Sequence, residues 1–410
     1  MKKIFDKTLL VIFFLGIASG LPISLILSTL KALMVDKGYD LKTIGFFSLV
    51  SLPYSLKIFF APIIDSFSLP CLTKKFGQRR SWIIFTQILL IVFIACLGAT
   101  TLFDSLTAIA IFACLVGFAS ASQDIVIDAY RIEIIAKENQ GFAAGFYVYG
   151  YRIGMLISGA LALIMADYMS WNAVYLLMSV FMIVGVITTI FAKESRKDWQ
   201  ERKYNFLSWF NSAVIAPLKD FARNSQWPVI FTFIICFKLA DAFAGNLTLP
   251  FLLDLNFSKT EIATIVKSFG LFATLFGVFC GGVLVKKLGI SKSLWIAALA
   301  QMLSNLCFSY LAQIGYNKDV LYLVIFIENF SGGVGDAIFV AYLSGLCNSS
   351  FSATQYAILA SLSTLARSVM SSSAGVFAES LGWYNFFILS TLLAIPSLVL
   401  LFLLTKRNFR

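Results

Sequence analysis

At 410 residues, with 59% hydrophobic residues, 13% charged residues, 41 Phe and a mean hydropathy of +0.87, the chain is far too apolar for an ordinary water-soluble domain. Its net charge of +11 suggests nucleic acid, but no basic soluble segment exists to carry such a partner. The seven scattered Cys form no C-x-x-C pair and there is no His, which argues against a disulfide framework and removes the commonest metal ligand, so neither metal nor cofactor is expected.

Apolar runs of bilayer-crossing length recur along the whole chain. The first six lie near residues 8–34, 40–66, 82–103, 106–129, 141–167 and 171–192, and six more near 227–253, 260–285, 293–313, 319–347, 351–378 and 382–405. Lys2, Lys3 and Lys7 ahead of the first run resemble the start of a signal peptide, but the run is too long and eleven others follow. Between the two sets, residues 193–226 form the longest polar stretch, a cytoplasmic linker between six-helix bundles at 1–192 and 227–410. Within it Phe206, Leu207, Trp209, Phe210, Val214 and Ile215 recur at helical spacing, as in a helix lying on a membrane surface.

The charge follows topology. Of the 32 Lys and Arg, 22 fall in the termini and the loops on one side, and only a few in the opposite loops. That asymmetry predicts an inner-membrane protein with both termini cytoplasmic and the lipid bilayer as its main partner. The halves are weak copies: Asp124-Ile-Val-Ile-Asp-Ala-Tyr130 matches Asp336-Ala-Ile-Phe-Val-Ala-Tyr342, and Gln140 precedes Arg152 by the same twelve residues as Gln355 precedes Arg367. The expected fold is all-α, with twelve transmembrane helices in two pseudo-symmetric halves, and it resembles the parallel-repeat plan of the major facilitator fold.

Eleven ionisable residues lie inside predicted spans: Lys31, Lys57, Asp124, Asp128, Arg152, Lys238, Asp241, Lys267, Glu328, Asp336 and Arg367. Each costs roughly 2.5 to 3.5 kcal/mol on insertion scales, which marks them as candidates for function. The five carboxylates of this set sit on spans 4, 7 and 10, and spans 3, 6, 9 and 12 carry no charge. Lys31 lies near a span end, where a long side chain snorkels to the interface. Lys238 and Asp241 share a helical face, so a structural ion pair competes with a transport role. Asp336 is read either as a functional carboxylate or as a polar contact between the halves. Gly16, Gly20, Gly332, Gly333 and Gly335 read as close-packing positions, and Pro22 and Pro250 as helix breaks.

After the second span come Asp65 and Lys74-Lys-Phe-Gly-Gln-Arg-Arg80. An acid at a helix end, then Gly77 with the paired Arg79 and Arg80, resembles the loop motif of the major facilitator superfamily. Its expected use is a cytoplasmic gate that cross-links helices in one state only. Asp128, near the cytoplasmic end of its span, is expected to pair with Arg79 or Arg80. The copy at Gly281-Gly-Val-Leu-Val-Lys-Lys-Leu-Gly289 lacks the acid.

Several blocks in order across both halves resemble the AmpG family of muropeptide permeases. They are Gly16-Ile-Ala-Ser-Gly-Leu-Pro22, Asp40-Leu-Lys-Thr-Ile-Gly-Phe-Phe-Ser-Leu-Val50, Ala121-Ser-Gln-Asp-Ile-Val-Ile-Asp-Ala129, Tyr151-Arg-Ile-Gly-Met155, Lys238-Leu-Ala-Asp-Ala-Phe243, Glu328-Asn329 and Phe351-Ser-Ala-Thr-Gln355. The resemblance implies a monomeric, proton-driven importer of cell-wall turnover products and no enzyme activity. Lys57, Arg152, Lys238 and Arg367 are suited to bind the carboxylates of such an anionic small molecule. Without His, the transported proton falls to carboxyl groups, with Asp241 and Glu328 leading and Asp124 next. An acetyl-CoA transporter of the same fold is the nearest alternative. A polytopic membrane transferase is the alternative from another class, disfavoured by the short periplasmic loops and the symmetric repeat.

Overall fold

The structure is a computed structural model that describes residues 7–39, 43–44, 47–103, 105–136, 139–195, 210–245, 247–372 and 374–407, without the side chains of 48, 259, 260, 263, 267, 365–372 and 407. Among the described residues nine helices are long and apolar enough to cross a bilayer, and a tenth crossing is a pair, Leu49–Ser55 and Lys57–Ser66, bent by 51°. One of the nine carries two crossings. The helix Thr264–Ile314 has 51 residues, about 75 Å at 1.5 Å per residue and more than twice a hydrocarbon core of about 30 Å. Gly289, at φ 78° and ψ 167°, divides it into the eighth and ninth spans. Gly382, at φ 71° and ψ 162°, likewise ends the eleventh span, which begins at Ser352–Ser372, and starts the twelfth. Left-handed backbone at these two sites is open to Gly without the Cβ penalty. The result is the expected twelve crossings.

The chain divides into two compact units. One comprises residues 1–137, 146–218 and 347–361, and the other 138–145, 219–346 and 362–410. Each unit thus holds most of one half plus the first residues of the fifth or eleventh span from the other. In both units many large apolar side chains point outward, among them Phe59, Ile111, Leu176, Phe272 and Phe279. A chain folding in water would bury them; in lipid they face the acyl chains.

Glycines set the helix contacts. In the first unit, a Cβ added at Gly150 would come 2.1 Å from the Phe13 carbonyl oxygen, and one at Gly20 would come 2.0 Å from that of Tyr151. The spacings Gly16-x-x-x-Gly20 and Gly150-x-x-x-Gly154 therefore bring the first and fifth spans backbone to backbone. In the second unit Gly277 and Gly333 bring the eighth and tenth spans together in the same way, with added Cβ atoms 2.2 Å and 2.3 Å from the Phe330 and Thr274 carbonyl oxygens. Gly332 has open space and takes no part. The repeat also shows at corresponding helix ends, where Trp171 Nε1 donates to Asp36 at 3.0 Å and Trp383 Nε1 donates to Asp254 at 2.6 Å.

The helix breaks fall beside charges. The second span loses helical geometry at Leu56 (φ −90°, ψ 6°), immediately before Lys57, and the seventh at Lys238 itself (φ −102°, ψ 4°). Pro22 lies inside Lys7–Ser24, which passes into a π-helical turn at Leu25–Thr29. Pro250 sits in the first turn of Thr248–Asp254, where its missing N–H is not needed. Of the linker, residues 196–209, with Phe206, Leu207 and Trp209, lie outside the described residues; Asn211–Ile215 and Ala216–Ala222 are helical.

Candidate functional site

Three charge clusters occupy the expected region. In the first unit Lys57 Nζ lies 2.6 Å from Asp124 Oδ2, and both groups are largely buried. Ser19 donates its hydroxyl to the other oxygen of Asp124 and lies 2.9 Å from the Tyr147 hydroxyl. Tyr54 donates to Ser120 at 2.8 Å, with its ring 5.3 Å from the Lys57 ammonium. Asp124 is thereby charge-balanced in place.

The second cluster lies where the second span ends and the third and eleventh begin. Arg79 is fully buried and bridges two carboxylates, with Nη2 2.5 Å from Asp65 Oδ1 and 2.7 Å from Glu133 Oε1. Asp65 also accepts from the backbone N–H and hydroxyl of Thr354, both at 2.9 Å, while Ser352 donates to Glu133 at 2.5 Å. Asp65 thus caps the first turn of the eleventh span. Gly77 opens the third span at φ 84°, and a Cβ there would come 2.4 Å from the Glu194 carboxylate. That space lets Glu194 accept from the N–H groups of Arg79 and Arg80 at 3.3 and 3.2 Å. Arg80 turns its side chain to the carbonyls of Thr189 and Ile190 at 3.0 and 2.6 Å, near the sixth span's C-terminus. Asp65, Gly77, Arg79 and Arg80 therefore share one network.

Asp128 does not join it. Its carboxylate pairs with Arg131 at 3.1 Å, one helical turn along, and not with Arg79 or Arg80. The i,i+3 partner on the same helix meets it without the cost of closing a loop, and Arg79 is taken by Glu133.

The third cluster belongs to the second unit. Lys238 Nζ lies 2.8 Å from Asp336 Oδ1 and 3.3 Å from Asp241 Oδ2. Asp336, expected either as a functional carboxylate or as a contact between halves, thus has a partner within its own unit. Glu328 accepts from Asn329 Nδ2 at 2.6 Å and is within electrostatic reach of Lys238, Asp241 and Asp336. Asn329 is itself fixed by Thr274, whose hydroxyl donates at 3.1 Å. In each unit, then, the repeated aspartate, Asp124 or Asp336, is neutralised by a lysine at a helix break. Lys57 pairs with Asp124, whereas Lys238 meets both Asp336 and Asp241.

Arg152 is half-buried on the fifth span and Lys31 is exposed. The side chains of Arg367 and Lys267 lie outside the described residues. Sequence reasoning missed Glu133, Glu194, Ser352 and Thr354. Glu133 left a signal as a carboxylate beside Arg131 at the apolar run's end, and Ser352 and Thr354 fall in the block Phe351-Ser-Ala-Thr-Gln355 without any role read for them there.

The described residues hold no group of three or more His, Cys, Asp or Glu arranged to bind a metal. The family model of the Major Facilitator Superfamily matches residues 12–369 and 231–409. Over 394 residues the chain is 40% identical to the anhydromuropeptide permease of Escherichia coli (strain K12), covering 95% of this chain and 78% of that protein. It is 38% identical over 411 residues to the putative transporter AmpG 4 of Rickettsia felis, covering 99% and 98% of the two chains. Among solved structures it is similar to the human organic anion transporter MFSD10 (TM-score 0.74, 14% identity, 96% of this chain and 99% of that one). The Escherichia coli fucose:proton symporter is similar as well (TM-score 0.70, 12% identity, 96% and 97%).

Proposed function

Because the chain belongs to the AmpG family of the Major Facilitator Superfamily, and so is a transporter and not an enzyme, we propose that it imports anhydro-muropeptides together with protons. The cargo is GlcNAc-anhydroMurNAc, with or without its peptide, moving from periplasm to cytoplasm for cell-wall recycling. The observation that carries this reading is the 40% identity over 95% of the chain to a protein named for that substrate. The protein works as a monomer in the inner membrane, with both termini cytoplasmic and with bundles 1–192 and 227–410 joined by linker 193–226.

The charge clusters support a division of labour. Muropeptides bring lactyl and peptide carboxylates, and Lys57, Arg152, Lys238 and Arg367 supply the matching cations. Lys57 and Lys238 already hold internal carboxylates at 2.6 and 2.8 Å, so substrate binds them by partner exchange. Asp241 and Glu328 carry the transported proton, with Asp124 next. With no His in the chain, carboxyl groups are the side chains inside the spans suited to exchange a proton. Asp65, Gly77, Arg79 and Arg80 form the cytoplasmic gate, and Asp128 supports it through Arg131.

The test is competition in membrane vesicles. Uptake of labelled GlcNAc-anhydroMurNAc-tripeptide should be suppressed by unlabelled disaccharide with or without peptide, and unaffected by acetyl-CoA. Suppression by acetyl-CoA alone would move the substrate to the nucleotide class.

A further inference from the structure

In the first unit a line of buried contacts leads from the Lys57–Asp124 pair to the start of the eleventh span. Ser19 touches Asp124 on one side and the Tyr147 hydroxyl on the other, at 2.9 Å. The Tyr147 ring lies 5.3 Å from the Arg131 guanidinium carbon, and the Tyr356 ring lies 5.5 Å from the same atom. Arg131 is 0% exposed, Tyr147 7% and Tyr356 6%. A cation over an aromatic face is held more strongly when both groups are desolvated, so displacing Tyr356 changes how firmly Arg131 is held. Arg131 is in contact with Tyr147, and Tyr147 helps to hold the hydroxyl that donates to Asp124.

The repeat argues that this line is more than a packing requirement. Aligning Asp124 with Asp336 sets Asp128 opposite Val340 and Arg131 opposite Leu343. The second half keeps the aspartate, pairs it with a lysine from a span that is not the repeat counterpart of the one carrying Lys57, and cannot build the same arginine–tyrosine relay.

We infer that Tyr147 and Arg131 are positioning residues that couple the state of the Lys57–Asp124 pair to the seating of the eleventh span's first turn, in the N-terminal half alone. The inference rests on the proposed function only in treating that pair as part of the transport site. Neither residue touches substrate in this account.

Cys347 provides a readout that needs no substrate, since it is buried and immediately precedes the turn that carries Ser352, Thr354 and Tyr356. With the other six cysteines replaced by serine, the rate at which a maleimide labels Cys347 in inside-out vesicles reports how often that turn lifts. Asp124→Asn should raise the rate about fivefold or more, the range of a typical coupling free energy. In a Tyr147→Phe background, which keeps the ring and removes the hydroxyl, the same substitution should add nothing. Ser19→Ala breaks the line at a second point and should act alike. An unchanged rate in Asp124→Asn, or an equal increase with and without the Tyr147 hydroxyl, would overturn the coupling. Because no transport is measured, a wrong substrate assignment would leave these rates as predicted.

Discussion

Arg79→Met is expected to lower uptake to about a hundredth of the parent rate or less, the largest effect of any single gate substitution. Arg79 is fully buried and bridges Asp65 and Glu133 at 2.5 and 2.7 Å, so its removal leaves two desolvated negative charges facing one another. Breaking one buried pair costs about 3–5 kcal/mol, which alone shifts a two-state equilibrium by two to three orders of magnitude. Asp65 also holds the first turn of the eleventh span through Thr354, so repulsion at this point reaches that turn directly. Arg79→Lys keeps the charge but not the guanidinium fork, and an intermediate rate is expected. Adding Glu133→Gln to Arg79→Met should recover thermal stability in detergent without recovering uptake. Parent-level transport by an Arg79→Met protein present in the membrane at normal amount would remove this network from the transport cycle.

Asp241→Asn and Glu328→Gln are each expected to abolish accumulation against a gradient while leaving downhill exchange of substrate. Lys238 faces Asp336 at 2.8 Å as well as Asp241 at 3.3 Å, so the lysine keeps a partner when Asp241 is neutralised and the local structure should survive. What is lost is a carboxyl group that changes its proton occupancy between the two faces. Exchange needs no such change, because the carrier returns loaded. Measuring both fluxes on the same vesicles separates the cases: loss of both indicates a damaged site, and wild-type, protonophore-sensitive accumulation in both variants removes the pair from coupling.

The fold was largely legible because a bilayer imposes one dominant rule, an apolar run of a fixed length, which most of the crossings follow. The glycine contacts were legible for Gly16 and Gly20, where small residues recur at one-turn spacing, and less so for Gly332, where a neighbouring glycine makes the contact instead. The breaks at Leu56 and Lys238 left no local signature, since neither residue forces its own backbone out of the helix. The gate was half legible: Asp65, Gly77, Arg79 and Arg80 form a local motif, but Glu133 lies 54 residues from Arg79, and Thr354 lies 289 from Asp65. Contacts at such separations are set by helix packing, which one sequence does not reveal. Asp128 was assigned to the wrong arginine for the same reason, because the competing carboxylate Glu133 could not be seen to reach Arg79.

The most direct test of proton-driven import uses purified protein in liposomes with an acidic exterior and a neutral lumen, supplied with labelled GlcNAc-anhydroMurNAc-tripeptide. The internal concentration should rise above the external one, and a protonophore should return it to equality. Equal concentrations inside and out at every imposed pH difference, reached at the same rate, would contradict coupling and leave a facilitated carrier.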